Sequence, residues 1–530
     1  MSSSRRTSSS PPFSSFGWSF AAAILIALSL PPLGLFPLAW VALVPFMMRW
    51  MVRKPSLDYT RELYALLLTT SCCVGFWLLF NPDPQAGALG GASLFLTPIP
   101  LTAAFAASNF VKDRLGLWPG LVALGLNIVA AEFITLQLSF SMPWLVLGHT
   151  QVEGLEFIQM ADIGGVLLLS LWVFLLNVTV FLALPKATPS MVGLGERGAF
   201  IAVFAGLIIA PVVYGSVRTA QSDVPTGYTR VGVVQPGVPP DEWDEFDADR
   251  KVQHLAELSD SIVGRWRAEA SDSTATTRQS GAEIGVLVWP QTSIPRMEDQ
   301  DQRNRFYTRL TLWAERRNVS VLAGATLGAG DGEVSSAAVL IRPGEVPVQY
   351  EQMRRIRVAE PNGDTGSRRV LFETAGTSVA ATVGFESVFG DHLRRFTGAG
   401  SNLMVVLSRN DIWGRSAGLY QHLMFTRLRA IESRRAVLLS TLSGVSAMIL
   451  PSGTIEQTAD WMDEAAISTD VPTFRGETFY VRHGDWLGVW GLLLALVFNL
   501  GAALFSIYMP VRVRKRAKRP ARSPATSPFR

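Results

Sequence analysis

The sequence predicts a chain in two parts, a multi-span α-helical membrane domain and an α/β layered domain that precedes the last span. Composition is the first indication, because 48% of the 530 residues are hydrophobic, only 17% are charged and the mean hydropathy is +0.26. These values are too apolar for an ordinary soluble protein. The second is the distribution of charged residues, which are sparse from 18 to 217. Residues 218 to 483 instead have the charge content and helical periodicity of a soluble domain.

Eight apolar stretches have the composition of membrane spans, since a hydrocarbon core about 30 Å thick needs roughly 20 mainly apolar helical residues. They are 16–30, 36–52, 63–80, 88–110, 117–138, 163–184, 199–217 and 486–509. The first follows Arg5 and Arg6 as a signal peptide would, but it leads directly into Pro31, Pro32 and a second span, so we expect an uncleaved anchor.

The cationic connectors predict the orientation, because loops rich in Lys and Arg stay in the cytoplasm. Such residues occur only in alternate connectors, on the side of the N-terminus: Arg53, Lys54, Arg61, Lys112, Arg114, Lys186 and Arg197. We therefore expect a disordered cytoplasmic N-terminus at 1–15, seven transmembrane helices in 16–217, an outer domain at 218–485, an eighth helix at 486–509 and a cytoplasmic tail at 510–530.

The tail concentrates positive charge directly after the last apolar stretch, from Arg512 to Arg522. A basic stretch that flanks a span is typical of a topology signal and of contact with anionic lipid headgroups. We therefore expect the bilayer, and no nucleic acid, as its partner.

Two features of the predicted spans concern chemistry. Glu132 lies within the fifth span, where an ionisable group is either functional or placed near the helix end so that it reaches the interface. Cys72 and Cys73 are adjacent in an apolar stretch, which argues against a disulfide framework and against a metal site. The outer domain therefore contains no thiol, and neither a metal nor an organic cofactor is expected.

The outer domain shows strand and helix patterns that alternate, as in an α/β layered domain. Helical spacing is found in 252–266 and again in 306–313. Short apolar stretches predict strands at 228–235, 284–288, 319–323, 338–341, 378–383, 403–407 and 447–450.

A set of motifs in this domain identifies a family resemblance. In chain order they are 289–295 (WPQTSIP), 350–360 (YEQMRRIRVAE), 383–387 (VGFES), 408–416 (SRNDIWGRS), 420–433 (YQHLMFTRLRAIES) and 451–455 (PSGTI). In this order they resemble the carbon–nitrogen hydrolase, or nitrilase, superfamily. Its membrane-bound branch, apolipoprotein N-acyltransferase, is matched further by 143–148 (PWLVLG), 159–164 (QMADIG) and 484–486 (GDW).

The resemblance implies a fold, a reaction and a location. The outer domain would be a nitrilase-like αββα sandwich in the periplasm, attached to eight helices in a bacterial inner membrane. The partners would be a phospholipid acyl donor and diacylglyceryl-modified apolipoproteins, whose N-terminal cysteine receives the acyl chain on its α-amino group in the last step of lipoprotein maturation. Transfer in the family passes through a thioester on an enzyme cysteine.

The three family residues for that chemistry are all substituted in this chain. The position of the base is Gln291, that of the oxyanion lysine is Gln352 and that of the nucleophile is Gly384. An amide is not a useful base, and glycine has no side chain that could form a thioester. Because Glu and Lys have both become a neutral amide, the charge balance of the site is preserved.

Other family positions are retained. Glu360 and Glu386 match glutamates near the site, and each could either act directly or hold the site together through backbone amides. Trp413 lies in the substrate-side loop, where packing is more common than catalysis. Arg354, Arg355 and Arg357 could stand in for the lysine, although a solvated basic turn is the preferred interpretation.

Another nucleophile is not expected. If 383–387 continued as a strand, Ser387 would point to the face opposite Gly384. No histidine is expected to pair with it, since His392 and His422 are near only in sequence.

Two classes of function are left open. The chain is either an apolipoprotein N-acyltransferase that works without the usual thioester, or a catalytically inactive protein that binds phospholipid or lipoprotein or regulates an active transferase.

Overall fold

The computed structural model describes residues 15–138, 143–185, 193–220, 225–271, 285–297, 299–328, 334–357, 360, 363, 365–374 and 376–508. The segment before residue 15 and the tail at 510–530 lie outside the described residues. Ser15, which was predicted to be disordered, begins the first helix.

The N-terminal part consists of helices. They are α1 (Ser15–Ser29), α2 (Ala39–Ala42), α3 (Val44–Val52), α4 (Leu57–Gly75), α5 (Pro84–Leu96), α6 (Pro98–Leu115), α7 (Leu117–Gln137), α8 (Leu155–Ile158), α9 (Ala161–Ala183) and α10 (Leu194–Ala220). Short 3₁₀ helices occupy Phe36–Leu38, Phe76–Phe80, Pro143–Leu145 and Leu147–Gln151.

The outer part contains the helices α11 (Pro240–Glu245), α12 (Ala248–Ser271), α13 (Gln300–Arg317), α14 (Gly390–Gly398), α15 (Ala417–Ser433) and α16 (Phe479–His483), and the chain returns through α17 (Trp486–Tyr508). Two more 3₁₀ helices are Gly384–Val388 and Asn410–Trp413.

The predicted spans all fall on apolar helices. Among the described residues, six helical stretches are long and apolar enough to cross a membrane: Leu57–Phe80, Pro84–Leu115, Leu117–Gln137, Ala161–Ala183, Gly195–Ala220 and Trp486–Tyr508. The first two predicted spans correspond to the shorter stretches Phe20–Ser29 and Phe36–Val52. A membrane domain of helices is thus confirmed, and the count of eight stays a prediction.

The strands are β1 (Gly227–Gln235), β2 (Gly285–Ile294), β3 (Val319–Gly328), β4 (Val334–Ile341), β5 (Val348–Glu351), β6 (Leu371–Thr374), β7 (Thr377–Val383), β8 (Leu403–Ser408), β9 (Ala436–Thr441), β10 (Ser446–Ile449), β11 (Ile455–Ala459) and β12 (Ala465–Thr473). They form two six-stranded sheets, ordered β12-β1-β2-β3-β4-β5 and β11-β10-β9-β8-β7-β6. Central pairs such as β1–β2 and β7–β8 are parallel, because a helix connects each strand to the next.

The two sheets pack face to face between helices. Val231 and Leu322 of the first sheet share one buried core with Ala381, Val405 and Leu438 of the second. A second core lies between the outer face of the first sheet and α12 and α13, while α15 packs on the second sheet. The predicted nitrilase-like αββα sandwich is therefore confirmed.

The structure also contains strands that the sequence patterns did not predict, namely β5, β6, β9, β11 and β12. A short, fully buried apolar run such as β9 has the same pattern as a buried helix segment. Strand β12 is half-buried along most of its length and lacks a clear alternation. Its partner β1 lies more than two hundred residues earlier in the chain, so nothing local marks this pairing.

Buried polar contacts join the two parts. The carboxylate of Asp162 at the start of α9 accepts hydrogen bonds from Arg434 at 2.8 Å and from Arg218 at 3.0 Å. Trp77 donates to Gln421 at 3.1 Å, and the Gln421 amide returns a bond to the carbonyl of Val74 at 3.2 Å. The outer domain is thereby held in contact with the ends of the membrane helices.

Candidate active site at the junction of the two parts

An open cavity of about 940 Å³ lies where the outer domain meets the membrane helices. Its wall includes Gln291, Glu360 and Gly384 from the outer domain, and the turn 81–83 with Ala86 from the helical part. Two of the three substituted family positions therefore line one cavity together with a glutamate.

Gln291 projects into this cavity from an irregular part of β2. Strand β2 continues beyond the predicted 284–288 and includes WPQTSI, and its pairing with β3 shifts register between Trp289 and Ile294. A bulge of this kind redirects a side chain. The Gln291 amide donates one long hydrogen bond, 3.4 Å, to the Ser336 hydroxyl.

Gly384 begins the 3₁₀ helix Gly384–Val388 with a φ of +62°. This left-handed conformation favours glycine. A Cβ atom added at Gly384 would lie 1.8 Å from Oε1 of Glu360 and 3.0 Å from Nε2 of Gln352. The Glu360 carboxylate thus occupies the space that a side chain at position 384 would need.

Gln352 completes this group immediately after β5. Its amide nitrogen donates to Oε2 of Glu360 at 2.8 Å and to the carbonyl of Val383 at 3.1 Å. Both N–H groups are therefore directed at neighbouring oxygens, and the amide fixes Glu360 against the end of β7.

The electrostatics of Glu360 are dominated by burial. Glu360 is half-buried as a residue, but its carboxylate lies within the wall of the cavity. Burial raises the pKa of Glu360 to about 7, while the charge of Arg355 and the Gln352 hydrogen bond act in the opposite direction. A carboxyl group in this position can exchange a proton near neutral pH.

Glu386 makes a different set of contacts. One carboxylate oxygen accepts hydrogen bonds from the Tyr350 hydroxyl at 2.8 Å and from the backbone amides of Met353 at 2.6 Å and Arg354 at 3.0 Å. The other accepts from the Val383 amide at 2.9 Å. These contacts clamp the segment after β5 to the end of β7, so Glu386 positions the wall of the cavity.

Trp413 is buried between the two parts of the chain. Its ring lies 4.8 Å from that of Trp77 and 5.3 Å from that of Phe385, measured between centroids. Phe385 itself lines the cavity. Trp413 therefore packs between Phe385 of the cavity wall and Trp77 of the membrane helices.

The expectation for Ser387 was wrong in two respects. Residues 384–388 form a 3₁₀ helix instead of a strand, so the alternation of faces along a strand does not apply to Ser387. Ser387 also has a histidine partner, since its hydroxyl lies 2.8 Å from Nε2 of His422. His392 lies 3.3 Å from the Tyr350 hydroxyl.

His422 is held in one orientation by further contacts. The Asn410 amide lies 3.2 Å from Nδ1 and donates to it, so Nε2 carries the proton and donates to Ser387. Burial lowers the pKa of His422 to about 3. The imidazole is thus neutral, and Ser387 accepts a hydrogen bond from it.

The remaining polar residues of the cavity are mainly acidic. Asp83, Asp241, Asp244 and Asp411 line it together with Arg409, which pairs with Asp244 at 2.8 Å. Burial raises the pKa of Asp411. The sequence patterns did not single out Asp83, Asp241 or Asp244, because Asp83 and the two α11 residues come from separate segments that only the fold brings together.

Glu132 belongs to the support of the helical part. Its carboxylate accepts the backbone N–H of Leu147 at 2.9 Å, at the start of the 3₁₀ helix Leu147–Gln151. The contact anchors the loop that precedes α9 to α7.

Comparison with known proteins matches both parts of the chain. A family model described as the apolipoprotein N-acyltransferase N-terminal domain matches residues 22–179, and one described as carbon-nitrogen hydrolase matches residues 230–476. The solved structure of Saccharomyces cerevisiae Nit3, a member of the nitrilase superfamily, is 12% identical with a TM-score of 0.37 and covers 47% of this chain and 92% of its own.

Curated relatives extend over both parts. The apolipoprotein N-acyltransferase of Chlorobaculum tepidum is 24% identical over 514 residues, covering 87% of this chain and 92% of the relative. That of Geobacter metallireducens is 26% identical over 520 residues, with 90% and 94% covered. The chain therefore belongs to the apolipoprotein N-acyltransferase family, the membrane-bound branch of the carbon–nitrogen hydrolase superfamily.

Proposed function

We propose that this chain transfers an acyl chain from a phospholipid to the α-amino group of the diacylglyceryl-modified N-terminal cysteine of apolipoproteins. The observation that carries the proposal is the cavity at the junction, because it combines the family's reaction positions Gln291 and Gly384 with the carboxylate of Glu360. Both parts of the chain line this cavity. A reaction between a membrane lipid and a protein terminus requires a site at such a junction.

An apolar surface beside the cavity supports the lipid donor. Phe76, Leu79 and Phe80 in the 3₁₀ helix Phe76–Phe80 are 53%, 52% and 65% exposed, and Asn81 of the cavity wall follows directly. Clustered exposed side chains of this kind are typical of contact with lipid. An acyl chain in the bilayer would then lie next to the cavity entrance.

The acidic lining supports the acceptor. The α-amino group of a protein terminus is largely protonated near neutral pH, since its usual pKa is about 7.7–8.0. Asp83, Asp241 and Asp411 would attract this cation, and the guanidinium of Arg409 is already paired with Asp244.

The usual thioester route is not part of this proposal. Gly384 offers no thiol, Gln291 cannot act as a base, and both N–H groups of Gln352 are directed at Glu360 and Val383. The matches reported above give no support to the inactive binder that the sequence left as an alternative.

The proposal includes a location in the bacterial inner membrane with eight spans. Both termini would be cytoplasmic, and residues 218–485 would be periplasmic. Support comes from the cationic connectors, which lie on one side only. Arg49 in the last turn of α3 and Arg53 in the connector that follows share Glu62 at 2.7 Å and 2.6 Å, so the charges on this side are ordered.

The test is expression of the full chain in bacterial cells depleted of their own transferase, followed by mass spectrometry of lipoprotein N-termini. The expected result is a third acyl chain on the terminal amine, as in a parallel strain that carries the Geobacter metallireducens relative. Lipoproteins that stay diacylated, although the chain is present in the membrane, would contradict the proposal.

A further inference from the structure

The space vacated at position 384 is filled by a carboxylate. Oε1 of Glu360 lies 1.8 Å from the point where a Cβ of residue 384 would be, and the next side chain among the described residues, that of Gln352, is 3.0 Å from that point. Glu360 lines the cavity beside Gly384 and Gln291. Among the described residues, Glu360 therefore places an ionisable group beside Gly384 and Gln291, where a substrate would react.

The surroundings hold this carboxylate in place without neutralising it. Its closest polar partner is the neutral amide of Gln352, at 2.8 Å, and a backbone hydrogen bond from Phe385 adds to it. Among the described residues, the charged groups that face it are Arg355 and Glu386, which act in opposite directions. Asp411, Asp83, Asp241 and the Asp244–Arg409 pair face the same cavity.

We propose that Glu360 is the catalytic proton-transfer residue of a direct acyl transfer, in which the substrate amine attacks the phospholipid ester without an acyl-enzyme intermediate. The inference rests on the proposed function, since it assigns the group that would carry out that reaction in this chain.

The step balances without any additional reactant. The amine nitrogen forms a bond to the ester carbonyl carbon, and Glu360 accepts the proton that the nitrogen loses. The carbon–oxygen bond to the glycerol then breaks, and the leaving oxygen takes the proton back from Glu360. The products are an amide and a lysophospholipid, and Glu360 is returned to its ionised form.

Gln291 has a defined part in this step. Its amide lines the cavity and donates only one long hydrogen bond, 3.4 Å to Ser336, among the contacts of the described residues. It can therefore donate to the carbonyl oxygen as negative charge develops there.

Proton transfer predicts a definite pH dependence. Burial places the pKa of Glu360 at about 7, so the carboxyl is protonated below that pH and ionised above it. Because the ionised form is the base, the rate should rise as the pH increases through about 7. The unprotonated fraction of the substrate amine also rises with pH. The contribution of Glu360 is therefore identified by comparing the pH profiles of the variants.

A serine nucleophile is the competing arrangement. The Ser408 hydroxyl lines the cavity and lies 3.3 Å from Nδ1 of His422. However, the Asn410 amide also donates to that nitrogen, and burial already makes His422 a weak base. An acyl-enzyme on Ser408 is therefore the alternative outcome of the experiment below.

The experiment uses the purified full chain in phospholipid nanodiscs with a synthetic diacylglyceryl-cysteinyl peptide, and it measures amide formation. Glu360→Gln should lower kcat by roughly 10²–10⁴-fold, the usual contribution of a positioned acid–base group, and change KM little. Glu360→Asp should retain part of the rate with a shifted pH profile. Glu345→Gln, at an exposed turn where Glu345 pairs with Arg342, is the matched control and should keep the wild-type rate.

Two further measurements separate the outcomes. Phospholipid binding in the absence of the peptide and the midpoint of thermal unfolding, measured for each variant, show whether Glu360→Gln still folds. Intact-mass analysis after incubation with phospholipid alone should show no acyl adduct. An adduct on Ser408, or a Glu360→Gln rate within about threefold of wild type, would overturn the assignment and leave the proposed function standing. Absence of amide from the wild-type chain would overturn both.

Discussion

Gly384 shows how one residue determines the chemistry of the whole site. Its left-handed backbone begins the 3₁₀ helix Gly384–Val388, and the absence of a side chain lets Glu360 approach the end of β7. A larger residue would be unfavourable for two reasons, because its backbone would be strained and the carboxylate of Glu360 would have to move. The loss of the thiol and the position of Glu360 are thus structurally coupled.

Gly384→Ala should destabilise the chain more than an equivalent change elsewhere. A non-glycine residue in this conformation costs about 1–2 kcal/mol, and displacing Glu360 adds the loss of its hydrogen bond to Gln352. Gly344→Ala is the matched control, since Gly344 has a φ of +68° and no atom within 4 Å of the added Cβ. Thermal unfolding in detergent gives the comparison, and equal midpoints for the two variants would contradict the coupling.

Glu386→Gln should reduce stability because the carboxylate accepts several hydrogen bonds in a buried position. An amide can accept at one oxygen only, so at least one of the backbone N–H groups of Val383, Met353 and Arg354 loses its partner. The expected loss in the free energy of unfolding is about 2–3 kcal/mol.

Glu373→Gln, on the exposed face of β6, is the control for this change and should stay within about 0.5 kcal/mol of wild type. A Glu386→Gln variant with unchanged stability but no acyl transfer would instead indicate a direct chemical role.

At the scale of elements, the first turn of α9 connects the membrane part to the outer domain. Asp162 in that turn accepts bonds from Arg434, which directly follows α15, and from Arg218 in the last turn of α10. Gln159 adds a bond from Arg434 at 2.6 Å and donates to the carbonyl of Ser452 at 2.8 Å. Three helices therefore converge on one buried carboxylate.

Asp162→Asn should be among the more damaging conservative changes in this chain. It leaves the buried guanidinium of Arg434 without its counter-charge, and breaking a buried ion pair in this way typically costs about 3–5 kcal/mol. Glu477→Gln removes the exposed ion pair with Arg482 and should cost no more than about 1 kcal/mol. Thermal unfolding and limited proteolysis measure both, and similar losses for the two variants would argue against a structural junction at Asp162.

At the scale of the whole molecule, the site depends on the placement of the outer domain over the helices. The cavity takes Asn81, Asp83 and Ala86 from the helical part, and Trp77 packs against Trp413 of the outer domain. Neither part alone encloses the cavity. The proposed reaction therefore requires that the outer domain be on the same side of the bilayer as the C-terminal end of α4 and the N-terminal end of α5.

The sidedness can be measured with single cysteines in a chain that carries Cys72→Ala and Cys73→Ala. Val346→Cys lies in the outer domain at a position that is 84% exposed, and Leu57→Cys lies 63% exposed in a cationic connector. A membrane-impermeant maleimide should label Val346→Cys in intact spheroplasts and label Leu57→Cys only after permeabilisation. The reverse pattern would contradict a periplasmic outer domain.

Much of this protein was determined by the sequence itself. Apolar composition over stretches of span length and alternation of strand and helix patterns depend on residues near one another in the chain, so both parts of the fold were predictable. The missing thiol at Gly384 and the neutral amides at Gln291 and Gln352 were equally visible, because they lie within ordered motifs.

Only the tertiary structure decided how these positions act together. The contact of Glu360 with Gly384, the pairing of Ser387 with His422 and the acidic lining from three separate segments all join residues that are distant in sequence. Strand periodicity was not applicable to Ser387, because the chain turns into a 3₁₀ helix as soon as β7 ends. Local patterns report which face of an element is buried, whereas a reactive site depends on where several elements end, and packing alone determines that.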